Sequence, residues 1–221
     1  MKKQDITNNV KAILESLPDH VELEAAAKTR SANDVRAAIQ GGVQIIGYNY
    51  VQEAERIKAE VTDDVKWHMI GHLQKNKVKK AVPLFDMIET IDSVKLAKEV
   101  NKRCAAIDKI MPVLIEINSG REEQKAGIFP EETENLVRAI NTHSHIHVQG
   151  LMTMGPFLDD PEELRPFFRE TKELFDKLAA EKIEHVDMHI LSMGMSDSYK
   201  IAIEEGANLV RLGTVLFGPR S

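Results

Sequence analysis

Eight short apolar runs, each separated from the next by a helical pattern, limit the fold of this chain more tightly than any single motif. They are "VELEAAA" (21–27), "VQIIGY" (43–48), "KWHMIG" (66–71), "DMIETI" (86–91), "PVLIEIN" (112–118), "HVQGLMT" (147–153), "MHILSMG" (188–194) and "NLVRLGT" (208–214). Most are dense in Val, Ile, Leu and Met rather than strictly alternating, as expected of strands covered on both faces. The stretches between them carry helix signals. Ser31 with Asp34 makes a capping box ahead of "VRAAIQ", and Gly41 with Gly42 ends that helix. Ser93, Pro130 and Ser196 open three more, and patterns over 49–60, 73–82 and 162–182 supply the rest.

Eight strands with seven intervening helices predict an α/β fold, a single (β/α)8 TIM-type barrel domain spanning residues 1–221. The length lies near the lower end of the ~200 to 250 residues usual for that fold. An open doubly wound sheet is the alternative; it is disfavoured because the runs are evenly spread and no G-x-G-x-x-G follows the first one. Only "VLFGPRS" follows the eighth run, too little for a long closing helix, so the amphipathic segment 5–17 is expected to fill that place as an added N-terminal helix.

Acidic residues outnumber basic ones by 35 to 29, a formal charge of −6, so the overall field opposes nucleic acid and anionic membranes. No run approaches the ~20 apolar residues of a membrane span, and the N-terminus lacks a signal-peptide core. A cytoplasmic protein is expected. Cys104 is the single cysteine, which rules out an intrachain disulfide, and it reads as a small core residue on a helix.

In a parallel barrel the reactive groups sit just past the strand C-termini, at the open mouth. Those positions hold Lys28, Asn49, His72, Asp92, Asn118, Thr153, Ser192, Met193, Arg211, Gly213 and Thr214. A lysine at such a mouth, desolvated on one side, supplies a nucleophilic amine able to form a Schiff base with a carbonyl. In "VRLGT", Gly213 lets backbone N–H groups approach an oxyanion and Thr214 adds a hydroxyl; "LSMGMSDS" offers a second anion-friendly turn through Ser192 and the helix start at Ser196. Phosphate commonly sits by the loops after strands seven and eight of such barrels. Strands one and eight meet at the seam, so a lysine and a phosphate cradle are neighbours, and an aldehyde bearing a phosphate follows. Pyridoxal 5′-phosphate (PLP) is the candidate.

The blocks "AAAKTR", "GYNYVQE", "WHMIGHLQKNKVK", "IETIDSVKLA", "LIEINSGREEQKAGI", "GLMTM" and "LSMGMSDSYKIAIEEGANLVRLGTVLFG" occur in that order over nearly the whole chain. Together they resemble the signature blocks of the PLP homeostasis protein family. The resemblance implies a fold like the N-terminal barrel of alanine racemase, with PLP held as an internal aldimine on Lys28. It further implies that Asn49 lies beside the cofactor, that Ser192, Gly213 and Thr214 hold the phosphate, and that Arg211 faces the pyridine nitrogen. Members are expected to bind PLP and balance its pools, handing it to PLP-dependent apo-enzymes, without an established turnover reaction. The expected form is a monomer.

The chain departs from the family pattern at Tyr48, where a glutamate is usual, at Arg30 in place of lysine and at Ser198 in place of aspartate. Tyr48 matters most, since it removes a carboxylate from the expected neighbourhood of the cofactor. A PLP-dependent amino-acid racemase is the alternative function. Against it, an arginine only donates hydrogen bonds, so a ring nitrogen facing Arg211 stays unprotonated and the ring is a poor electron sink. A racemase also needs a second acid/base opposite the lysine, and with no second domain expected, Tyr48, Tyr50 or a partner subunit would have to supply it.

Three further signals carry less. His143, His145 and His147 alternate in "HSHIH" but lack a carboxylate or thiolate neighbour to complete a metal site. The basic cluster "KNKVKK" (75–80) reads as a solvated helix face. The methionines at strand ends, 69, 152, 154, 193 and 195, read as soft packing around the mouth.

Overall fold

The structure, a computed structural model, describes residues 3–219. Eight parallel strands close into one barrel in chain order: β1 (Glu22–Ala26), β2 (Ile45–Tyr48), β3 (Lys66–Met69), β4 (Met87–Ile91), β5 (Met111–Ile117), β6 (Ile146–Thr153), β7 (Val186–Ser192) and β8 (Leu209–Leu212). Each falls on one of the eight apolar runs. The helices between them are α2 (Ala32–Gly41), α3 (Val51–Lys58), α4 (Val78–Leu84), α5 (Val94–Ala105), α6 (Thr133–Ile140), α7 (Arg165–Ala180) and α8 (Tyr199–Glu204). The (β/α)8 architecture is therefore the observed one.

Local chemistry sets several boundaries. Ser31 Oγ accepts from Asp34 N at 3.2 Å while the Asp34 carboxylate accepts from Ser31 N at 3.0 Å, satisfying two free N–H groups of α2. Gly42 ends that helix at φ 115°, a left-handed conformation that suits glycine. Ser93 caps α5 through Leu96 N. Pro130 begins a 3-10 turn that leads into α6. Ser196 does not open α8, which starts three residues later at Tyr199; the hydroxyl is used elsewhere.

After β8 the chain makes only the short helix α9 (Thr214–Phe217), and α1 (Lys3–Ser16) packs against both α9 and α2. Asn9 Nδ2 donates to Leu216 O at 3.2 Å, and Thr7 Oγ1 donates to Ala37 O at 2.9 Å. A Cβ on Gly41 would lie 2.7 Å from Val10 Cβ, so its absence lets α1 and α2 approach closely. The N-terminal helix thus fills the place expected for it.

The apolar core lies mainly between the sheet and the helices, with Trp67, Tyr48, Phe85, Phe168 and Phe217 as its largest buried side chains. Inside the barrel the picture differs. A small apolar plug of Met87, Leu114 and Met152, with Ile190 packed on it, forms a separate cluster. Buried with it inside the sheet are Glu24, His68, Glu89, Glu116, Ser192 and Arg211, each at most 4% exposed. Charges so removed from water persist only when paired, hydrogen-bonded or neutralised, so this polar layer must be organised as a unit.

Candidate functional site

Side chains alternate across β1, so Glu24, Ala26 and Lys28 share its inward face and Lys28 arrives at the barrel mouth. The turn behind it is fixed. Thr29, at φ 66°, donates its N–H to the Glu53 carboxylate on α3, and Arg30 Nη2 donates to Gly218 O at 2.6 Å with its guanidinium over the Phe217 ring. Lys28 therefore projects from a strand end tied on both sides.

Lys28 lines one cleft together with Ala26, Ser196, Arg211, Gly213 and Thr214. The strand partners Ala25 and Leu212 place Ala26 beside Gly213 at the seam. The backbone N–H groups of Gly213 and Val215 both point at Ser196 Oγ, at 3.4 and 3.3 Å. Hydroxyls and backbone N–H groups at that turn are suited to oxyanions. Asp197 also borders the cleft.

Arg211 forms the floor. It is 4% exposed, its Nη1 donates to Ser192 Oγ at 2.6 Å and its Nη2 to Thr153 O at 2.8 Å. Ser192 Oγ donates onward to Glu89 Oε2 at 2.7 Å, and Glu89 Oε1 lies 2.8 Å from His68 Nδ1. Burial alone would raise the Glu89 carboxyl, but the His68 hydrogen bond and the charges of His68 and Arg211 outweigh it and hold it below the usual carboxylate range. Glu24 goes the other way: burial first, then the Glu89 charge, push it well above the ordinary value. Burial, with Asp92 adding to it, likewise pushes Glu116 up to about 7. Glu89 is thus the carboxylate held ionised in this layer, while Glu24 beside it favours its protonated form and Glu116 titrates near neutrality.

Of the six site residues expected from sequence, Lys28, Arg211, Gly213 and Thr214 meet in the cleft. Ser192 does not. It is fully buried beneath Arg211, with its hydroxyl engaged by Arg211 and Glu89, because β7 runs through it and turns it into the barrel. The serine at the anion-friendly turn is Ser196, which the sequence suggested only as a helix start. Asn49 lines the neighbouring depression with Tyr50 and His72 rather than the Lys28 cleft, and its Oδ1 is buried without a hydrogen-bond partner.

Tyr48 is removed from the mouth altogether. It is fully buried on the outer face of β2 and stacked on Trp67, with ring centroids 5.7 Å apart and planes at 9°. Burial, with Glu53 adding to it, pushes its phenol well up, and its hydroxyl has no partner. The expectation that Tyr48 alters the cofactor's surroundings or acts as an acid/base is overturned by this outward orientation. Other mouth residues serve their own loops: Asn118 bonds both ways with the Glu122 backbone at 2.8 and 3.1 Å, and Thr153 Oγ1 pairs with Ser119.

The family model for the alanine racemase N-terminal domain matches residues 1–221. A pyridoxal phosphate homeostasis protein from Aquifex aeolicus is 41% identical over 200 residues, which is 90% of this chain and 87% of that protein. Among solved structures, PipY of Synechococcus elongatus PCC7942 without PLP has a TM-score of 0.91 at 31% identity, covering 96% of this chain and all of PipY. The same protein with PLP bound gives 0.88 at 29%, again covering 96% of this chain and all of PipY. Alanine racemase from Clostridium difficile 630 gives 0.79 at 17% identity, over 98% of this chain and 56% of that one, a likeness of fold alone.

Proposed function

The chain belongs to the pyridoxal phosphate homeostasis proteins of the alanine racemase N-terminal domain family, and from that premise we propose that it binds PLP covalently through Lys28 and serves in intracellular PLP homeostasis as a carrier or regulator. One observation carries the site assignment: Lys28, the Gly213–Thr214 turn and buried Arg211 line a single cleft. The donor set suits the ligand, since it combines an amine, a guanidinium, backbone N–H groups and hydroxyls. When bound, PLP supplies an aldehyde carbon with which a primary amine condenses, releasing water.

Lys28 is the amine. Gly213, Thr214 and Ser196 would hold the phosphate, and Ser192 acts one step removed by fixing Arg211. Asn49 would stand at the cofactor's edge from the adjoining depression. Arg211 donates only, so it would hold the ring nitrogen as an acceptor and deny the ring the acidic partner that strongly catalytic PLP enzymes place there. With Tyr48 buried outside the barrel, Tyr50 is 65% exposed and lines the neighbouring depression rather than the Lys28 cleft, and Tyr199, at the start of α8, packs against the core. Both features favour binding over turnover. In this reading residues 1–221 act as one cofactor-binding barrel domain, a cytoplasmic monomer whose partners are PLP and PLP-dependent apo-enzymes. Among the described residues no helix is long and apolar enough to cross a membrane.

The test is direct. Purified protein should be yellow, and borohydride reduction followed by mass spectrometry should place a pyridoxyl group on Lys28 and on no residue of Lys28→Ala. A colourless, folded wild type would refute PLP binding; conversion of L-alanine or L-serine to the D-isomer at enzymatic rates would refute the carrier reading.

A further inference from the structure

Below Arg211 lies a second constellation that PLP binding does not use. Glu24, His68 and Glu89 each present one ligand-type atom, and these atoms all lie within 4.8 Å of one another in the middle of the barrel. All three are buried, at 0%, 3% and 0% exposure. Neither carboxylate oxygen of Glu24 has a well-formed hydrogen bond, although the Glu24 and Glu89 carboxyls approach closely enough to interact through a shared proton. His68 Nδ1 lies 2.8 Å from Glu89 Oε1 and 4.0 Å from Glu24 Oε2. Gly47 makes room for this arrangement: a Cβ there would sit 2.1 Å from Glu24 Oε1.

We propose that Glu24, His68 and Glu89 form a binding site for a divalent transition-metal ion, entered from the N-terminal end of the barrel. One imidazole nitrogen and two carboxylates suit zinc or its first-row neighbours, whereas an all-oxygen set would suit magnesium or calcium. Ligands bonded at about 2.0 to 2.2 Å to one ion stand roughly 3.2 to 3.6 Å apart. The spacings here, 2.8 and 4.0 Å from His68 Nδ1 and none above 4.8 Å, therefore change by no more than about 1.6 Å on binding. Glu89 is already oriented from behind, because its other oxygen accepts from Ser192, which Arg211 holds in turn. Binding of a dication releases the Glu24 proton, so both carboxylates then offset the ion while Arg211 keeps its link to Glu89 through Ser192 and adds one positive charge to the layer. His68 also borders a cavity at the N-terminal end of the barrel, whose rim carries His20, Glu22, Asp86 and His189, with Lys66 as the opposing charge. That cavity is the entry path.

The test uses zinc chloride alone as the probe. Chelator-stripped protein titrated by calorimetry should take up one equivalent of zinc, and Lys28→Ala should take up the same, which separates this site from the PLP cleft. Glu24→Gln and Glu89→Gln should each weaken uptake by more than the roughly 10- to 100-fold that outer-sphere partners are worth. Should these buried variants fail to fold, anomalous scattering at the zinc edge from wild-type crystals decides: a peak bonded to all three side chains supports the site. A wild type that takes up no zinc, uptake unchanged in folded Glu24→Gln, or a peak at surface histidines such as His189 would overturn it. In the first case Glu24 simply keeps its proton against Glu89.

Discussion

Glu24 and Arg211 are cross-strand partners at the β1–β8 seam, both on their strands' inward faces; Arg211 lines the floor of the Lys28 cleft and Glu24 lies within the barrel below Ala26. One step outward on those faces are Ala26 and Gly213, and a further step along β1 is Lys28. The cleft floor and the polar layer inside the barrel are therefore one structure, because Arg211 belongs to both. Its guanidinium commits two N–H groups to Ser192 and Thr153 and still borders the cleft. Substitutions in this region should separate residues that touch the cofactor from residues that hold those that do.

Ser192 and Ser196 make the sharpest contrast. Ser192→Ala would leave an Arg211 N–H and a Glu89 oxygen without partners in the barrel, at a cost of about 1 to 3 kcal/mol in urea unfolding. Ser196→Ala removes a hydroxyl from the cleft itself and should leave stability within about 1 kcal/mol. Equilibrium dialysis should show weaker retention of PLP by Ser196→Ala. Pyridoxal, which lacks the phosphate, should be retained equally by this variant and wild type; equal loss of both ligands would remove Ser196 from the phosphate site.

Arg211→Lys probes the floor. A lysine keeps the charge opposite Glu89 but cannot reproduce the planar fork that reaches Ser192 and Thr153 O together. The expected loss is about 1 to 3 kcal/mol of stability with covalent capture by Lys28 retained, seen as the same mass adduct after borohydride. Absence of the adduct in a folded variant would show that the guanidinium is required for capture.

Tyr48→Phe should stabilise. Its hydroxyl is buried without a partner against Trp67 and α3, so removing it recovers about 1 kcal/mol of desolvation cost. For a chain of this size that corresponds to a rise of about 2 to 4 °C in Tm. The visible absorbance of bound PLP should not move, as the residue lies outside the barrel; a spectral shift would place Tyr48 in contact with the cofactor's surroundings.

The strands and most helix boundaries were legible in the sequence because apolar density and capping residues report burial and chain direction locally. Side-chain direction was not. A strand buried on both faces shows no alternation, so nothing in "VQIIGY" told that Gly47 faces the barrel interior and Tyr48 the helices. The direction of Ser192 is hidden in the sequence for the same reason: the strand runs on through it, and the turn comes only at Gly194, with φ 88°. The interior polar layer did leave a signal. Glu24 in "VELEAAA", Glu89 in "DMIETI" and Glu116 in "LIEIN" each interrupt an apolar run in mid-strand, where a charge has no solvent to face and must find a partner within the barrel.

Glu116 gives the clearest pH signature of that layer. Its Oε2 has no hydrogen-bond partner, and burial raises the carboxyl from 4.5 to about 7, with Asp92 adding to the rise and Arg211 opposing it. A raised folded-state value means the native chain keeps a proton that the unfolded chain releases. Stability from this group is therefore complete below pH ~4.5 and is lost as pH climbs to about 7, by about 3 kcal/mol in all. Glu116→Gln has no proton to lose and nearly the same shape. Its stability relative to wild type should therefore rise by about that amount between pH 4.5 and 7 and then level off. Urea unfolding of both proteins across this range measures the difference directly. If the two curves run parallel, Glu116 is already ionised in the native barrel at neutral pH, and an additional positive charge must reach it from the mouth.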